Sequence, residues 1–268
     1  MVVFEIRNKE EHKRLLGYLL YYEQSRRFFS ELLSEVDEWS APFIFSGQVK
    51  KKIYSIDSIW SAKFVNQRII PSDRQNLGTI LKEHGLREYD EFKLLQLSEG
   101  RCAQDELYLV RIAKKDIVPE ILARLDRKVI DVMPQQGYRA CVFFKDGKSV
   151  AVDVNILCGS DRLFRNVLRD EKVFRRVFVS PGGQGIEWGE ERFLSAEKLR
   201  ECGSEGVLSY EDLMFFVKER LFDSAEAAKY LHCSRQYIKQ LADKERLVPV
   251  REGANAALYR KSALEAGV

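Results

Sequence analysis

Residues 223–265 read DSAEAAKYLHCSRQYIKQLADKERLVPVREGANAALYRKSALE, and how this stretch folds governs what the rest of the chain can do. Asp223 stands three residues before Glu226 at the head of an alanine-rich run, the spacing at which a cap and its third neighbour satisfy each other's backbone N–H. His232-Cys233 leaves room only for a tight connection. Ser234 is then placed to cap a second helix that starts at Arg235 and ends near Lys244. Two short helices joined this way have helix-turn-helix geometry.

On the second helix Ile238 and Leu241 fall inward, which leaves Arg235, Gln236 and Lys239 outward near its N-terminal half, with Ser234, Tyr237 and Gln240 beside them. Arg and Gln can bond guanine and adenine edges in bidentate fashion, and a helix N-terminus itself favours phosphate. That end of a recognition helix is the one that meets base edges. Farther on, Val248-Pro249-Val250 and Ala257-Leu258-Tyr259 are spaced to pair as a wing, with Arg251, Arg260 and Lys261 supplying phosphate contacts. The stretch, including its closing Leu258-Tyr259-Arg260-Lys261-Ser262, resembles the winged helix-turn-helix of excisionase and MerR type. The resemblance implies double-stranded operator DNA as a partner. It departs at Cys233 and at residues 254–256, Ala-Asn-Ala, where more polar or basic residues are usual.

Composition sets wider limits. At 268 residues the chain is long enough for two or three units that each bury a core. Charged residues are 32% but nearly balanced at +3, so attraction to nucleic acid must come from a local patch. Charges interrupt every apolar run, and the opening MVVFEIRNKEEHKR lacks a signal-peptide layout, so the expectation is a cytoplasmic protein without a membrane partner. Cys102, Cys141, Cys158, Cys202 and Cys233 form no C-x-x-C pair, which points to a reduced compartment with no metal and no cofactor.

The pattern predicts an α+β protein of three small domains: a helix-rich α+β part over 1–118, a strand-rich α+β part over 119–205 and the winged helix-turn-helix over 206–268. In residues 10–36, Leu15, Leu19, Tyr22, Phe29, Leu32 and Leu33 favour one long amphipathic helix. The alternative is a hairpin of 17–22 and 26–31 around Glu23-Gln24-Ser25, although no Gly or Pro marks that turn. Ile56, Ile59, Trp60 and Phe64 predict a helix running until Pro71 stops it; further helices are expected over 75–84 before Gly85 and over 90–97 before Gly100. After a short amphipathic stretch from Pro119, strands are expected over 128–133, 138–144 and 149–154, with Asp146-Gly147 turning the last two. Residues 161–169 read as a helix, 175–180 as a strand, Pro181-Gly182-Gly183 as a turn and Ile186-Glu187-Trp188 as extended. From Leu208 to Leu247 the chain reads as helical.

Residues 64–109 resemble the N-terminal subdomain of HipA-type toxin kinases. Ile69-Ile70-Pro71, Asp90-Glu91-Phe92 and Gly100-Arg101-Cys102 match its apolar Pro turn, its Asp-x-Phe segment and its Gly-Arg-Asp-Cys stretch. The residue before Cys is missing, Gln104-Asp105 replaces Gly-Ala, and that family opens on strands. The resemblance implies an antitoxin-like, HipS-like piece whose partner is a HipA-like toxin kinase lacking this subdomain. Nothing after Val110 resembles the kinase core. Trp39, Trp60, Gln67 and Arg68 are candidate partner contacts, since large aromatics and Arg dominate interface energies; Trp60, on an apolar helical face, also reads as core.

Residues 128–157 and 168–199 resemble a small bacterial domain family of unknown function, with Phe144-Lys145-Asp146-Gly147 at its hairpin and Gly185-Ile186-Glu187-Trp188 beyond. Members often sit beside toxin-type genes. Asp131, Asp146 and Asp153 invite a metal or acid-base reading, but the turn explains Asp146 and strand alternation Asp153. His12, His84 and His232 give no triad order, and Gly182-Gly183-Gln184-Gly185 precedes no phosphate-cradling helix. The expectation is a non-enzyme: a DNA-binding regulator of antitoxin and autorepressor type, able to form a homodimer on a two-fold operator, or else an excisionase-like accessory factor without a toxin partner.

Overall fold

A computed structural model describes residues 1–10, 13–23, 25–189, 192–206, 208–253 and 257–265. His12, Gln24 and residues 254–256, singled out above, lie outside them. The protein is α+β and divides into two compact units, residues 1–123 and 124–268. Among the described residues no helix is long and apolar enough to cross a membrane.

The first unit is built on a five-stranded antiparallel sheet in the order β4-β3-β2-β1-β5, formed by β1 (Val2–Asn8), β2 (Arg14–Tyr22), β3 (Arg27–Leu32), β4 (Ser55–Ile56) and β5 (Leu107–Ile112). The long helix expected over 10–36 is therefore a hairpin. Tyr21 stacks on Phe92 at 4.2 Å, while Tyr18, on the opposite face, accepts a hydrogen bond from the Val118 N–H at 3.1 Å. Both faces of β2 are covered, so Leu16, Tyr18, Leu19 and Leu20 are all sealed and the alternation that would reveal a strand is lost. Arg26 takes the left-handed conformation at φ 52°, so no Gly is needed to bring the strands back. Gly17 has a different purpose: a Cβ there would lie 2.4 Å from the Glu31 carbonyl oxygen on β3.

Among the described residues five α-helices accompany the sheet: α1 (Ser46–Lys50), α2 (Ser58–Asn66), α3 (Leu77–Glu83), α4 (Glu91–Ser98) and α5 (Pro119–Asp126), the last crossing the division between units. Asp57 caps α2 at the Trp60 N–H and Asp90 caps α4 at the Lys93 N–H. Ile56 is thus a strand residue, Ile59 is exposed, and α2 ends well before Pro71. Past α3 the left-handed Gly85 closes the turn, and past α4 Glu99 and Gly100 both adopt positive φ.

The second unit begins with the antiparallel sheet β12-β8-β7-β6, made of β6 (Val129–Gln135), β7 (Arg139–Phe144), β8 (Ser149–Asp153) and β12 (Ser204–Glu205). Gly147, at φ 84°, makes the β7–β8 turn as its sequence predicts. α6 (Val154–Cys158) is capped by Asp153 at the Ile156 N–H, a role that strand alternation did not suggest. The helix expected over 161–169 is only a 3-10 turn at Arg162–Phe164, and the α-helical turn is α7 (Glu171–Phe174), started by the Asp170 cap. The strand expected over 175–180 shrinks to β9 (Phe178–Val179), which joins β10 (Gly185–Glu187) and β11 (Phe193–Ser195) in a small sheet before α8 (Ala196–Cys202). Phe144, Phe174, Ile186 and Trp188 form its core, with the Trp188 indole donating to the Phe174 carbonyl at 2.7 Å.

From Tyr210 the chain is not continuously helical. α9 (Tyr210–Glu219) gives way to β13 (Leu221–Asp223), and then follow α10 (Ser224–Tyr230), α11 (Arg235–Asp243), β14 (Arg251–Glu252), β15 (Ala257–Arg260) and α12 (Lys261–Glu265). β13 joins the wing, so the sheet runs β13-β15-β14. Pairing of the hairpin is Arg251↔Leu258 and Glu252↔Ala257, displaced from the expected 248–250 strand, of which only the Val250 N–H bonds Leu258. Ala227, Ile238, Leu241, Leu247, Tyr259 and Leu264 make a separate small core.

Candidate nucleic-acid interface

Local chemistry fixes the two helices. Asp223 accepts from the Ala225 and Glu226 N–H groups at 2.7 and 2.8 Å while Glu226 accepts from the Asp223 N–H at 2.9 Å, so the reciprocal cap is complete. His232 turns the chain with φ 51°, and Cys233 N–H bonds back to Ala228 at 2.9 Å. Ser234 then accepts from the Tyr237 N–H at 3.1 Å and starts α11.

Burying Ile238 and Leu241 turns the opposite side of α11 to solvent. Ser234, Arg235, Gln236, Tyr237, Lys239 and Gln240 are all exposed there, and Arg251 is exposed on the wing. Arg235 and Lys239, one helical turn apart, share a face, and no acidic residue stands in the first turn of α11. Two cations, two amides and a helix N-terminus therefore point outward from one short surface. Such a surface suits a polyanion whose base edges carry hydrogen-bonding groups.

Arg260 and Lys261 lie elsewhere. Lys261 pairs with Glu265 at 3.6 Å, and Arg260, half-buried, lines an apolar cleft against β6 and α9. Sequence reasoning also missed a buried ion cluster: Arg220, following α9, meets Asp131 of β6 at 3.1 Å and Glu265 of α12 at 3.6 Å. The Lys261 N–H bonds the Arg220 carbonyl at 2.8 Å, so the cluster locks the end of the wing to the β6 sheet. Burial pushes the Glu265 carboxyl above the usual range, against the pull of Arg220 and Lys261. Asp131 is one partner of this buried ion pair.

In the first unit the candidate partner contacts separate. Trp39 is 88% exposed on a turn held by Asp37, whose carboxyl accepts from the Ser40 N–H, the Ser40 hydroxyl and the Trp39 N–H and is held below its ordinary range by them. Phe43, which sequence reasoning did not single out, is 91% exposed nearby in sequence. Gln67 is exposed at the end of α2, and Trp60 is half-buried with the Lys63 ammonium 4.2 Å above its ring. Arg68 is not a surface contact. It is 3% exposed, its guanidinium lies 3.6 Å over Phe64, donates to the Phe64 carbonyl at 3.1 Å and pairs with Asp105.

Comparison of the sequence with family profiles and with curated proteins returned no match. Among solved structures, a Nitrosomonas europaea protein named as a candidate DNA-binding protein is similar at 21% identity, over 46% of this chain and 79% of that one, with a TM-score of 0.27. A likeness of that size carries no argument about this chain.

Proposed function

We propose that the protein is a DNA-binding transcriptional regulator that reads an operator with α11 and steadies itself on the phosphates through Arg251. The observation that carries this reading is the capped helix pair whose second helix turns Arg235, Gln236, Lys239 and Gln240 to solvent from its N-terminal half. The finer reading is an antitoxin and autorepressor whose first unit holds a protein partner. It is supported by the exposed Trp39 and by the strands that open the first unit, a feature the HipA-type subdomain shares. A toxin kinase lacking that subdomain is the partner this implies.

The test is a gel shift at fixed salt with DNA from upstream of the gene. Binding should weaken as salt rises, because each phosphate neutralised releases counterions. Arg235→Ala should cost about 1–3 kcal/mol and relax base preference, whereas Lys239→Ala should weaken binding with less change in preference. Unchanged binding in both variants would remove α11 from the interface. Co-purification of the full chain with the product of a neighbouring gene, lost on Trp39→Ala, tests the partner reading separately.

A further inference from the structure

Between β6, β7 and α9 lies a cleft of about 310 Å³ lined by Ile130, Met133, Phe143, Leu213, Phe216 and the last residue of the wing, Arg260. The volume is at the lower end for small-molecule sites, about 300–1,000 Å³, and such sites combine an apolar lining with few polar groups. α9 buries none of its residues completely, so Leu213 stays 51% exposed at the rim although it belongs to an apolar run.

The charges around this cleft are uneven. Asp131, the one carboxylate among the described lining residues, pairs with Arg220. Glu265 answers Arg220 and Lys261 together. Two cations meet two anions, which leaves the Arg260 guanidinium with no ion-pair partner among the described residues. A half-buried cation on an apolar wall gains most from an anion that brings its own hydrocarbon, since a bidentate carboxylate satisfies it while the chain covers the apolar surface.

We propose that this cleft binds a small apolar monocarboxylate, its hydrocarbon against Ile130, Met133, Phe143, Leu213 and Phe216 and its carboxylate on Arg260. Arg260 pairs with Leu221 in the strand that leads into Asp223, the cap of α10, so an occupied cleft is tied to the helix pair by one hydrogen-bonded strand.

The experiment is a calorimetric titration of the full chain, without DNA, with octanoate and with octanol. Octanoate should bind saturably at one site and octanol about tenfold more weakly, the difference a charge-assisted bond supplies. Arg260→Gln should bring octanoate down to the affinity of octanol and leave octanol unchanged, and Arg260→Lys should keep part of the preference. Should Arg260→Gln fail to fold, Leu213→Glu alters only the exposed rim, and its added carboxylate should repel octanoate more than octanol. No saturable heat, equal affinity for the two ligands, or indifference to both variants would each overturn the proposal. Self-association in sedimentation that Leu213→Glu abolishes, with no uptake of octanoate, would overturn it by giving the cleft to a second copy. DNA plays no part in the measurement, so its failure leaves the operator reading untouched.

Discussion

Arg68 and Arg220 are both sealed from solvent, at 3% and 2% exposure, yet they are held in opposite ways. Arg68 rests on a ring and a carbonyl, and its one carboxylate, Asp105, keeps 31% of its side chain in water. Burial lowers the affinity of its guanidinium for the proton, and Asp105 offsets this only in part. Arg220 sits between two carboxylates, Asp131 and Glu265, each with 4% of its side chain exposed. The first is a local brace at the end of α2. The second is the only cation shown bridging β6 and α12 among the described residues; Asp131 has no other ion-pair partner among them, while Glu265 also meets Lys261 at 3.6 Å. Burial alone therefore does not give a buried charge its worth; what decides it is how many counter-charges would be stranded without it.

The sharpest way to break this comparison is to remove each arginine in turn. Arg220→Met should destabilise the second unit by about 3–5 kcal/mol, the usual cost of leaving buried charge unpaired. Trp188 is the only tryptophan of that unit, so its fluorescence in a urea titration reads the loss directly. A loss no larger than that of Arg68→Met would show that the two places are equivalent after all. For Arg68→Met the expected cost is smaller, about 1–2 kcal/mol, because Asp105 can turn to water. Trp39 and Trp60 report that unit.

The smallest effect is a slope. Burial raises the Glu265 carboxyl above its ordinary value, so the folded state keeps a proton that the unfolded chain has already released. Its contribution to stability is therefore greatest in acid and falls as pH climbs from the ordinary carboxylate range through the raised folded value, then stays level. Glu265→Gln should remove that decline, so urea titrations of the two proteins, followed at Trp188 from pH 4 to pH 8, should diverge in favour of the variant as pH rises. Parallel curves would mean that Arg220 and Lys261 hold Glu265 ionised without penalty.

What the sequence disclosed follows from distance along the chain. The caps at Asp223 and Ser234 act within three residues, and the inward pair Ile238 and Leu241 lies three apart, so all of α10 and α11 was legible. Arg68 and Asp105 are 37 residues apart and Arg220 and Asp131 are 89, and no local pattern marks an arginine as buried when its partner is that remote. The hairpin of β2 and β3 failed for another reason. Apolar residues on both faces mimic helical spacing, and the turn uses Arg26 in a conformation that Gly or Asn would have advertised. In the last segment β13 was absorbed into a helical reading because three residues are too few to show a period.

The pairing of β1 with β5 also sets when the first unit can form. Val3 lies opposite Ile112, so β1 waits for a strand made more than a hundred residues later. Closing so long a loop is slow, because its entropy is lost before the contact rewards it. Until Leu107–Ile112 leaves the ribosome, the side of β1 that β5 will cover is an open edge of apolar strand, the kind of surface on which nascent chains find one another. Helices α10 and α11 share their small core with residues no farther along than Leu264, and carry no such delay.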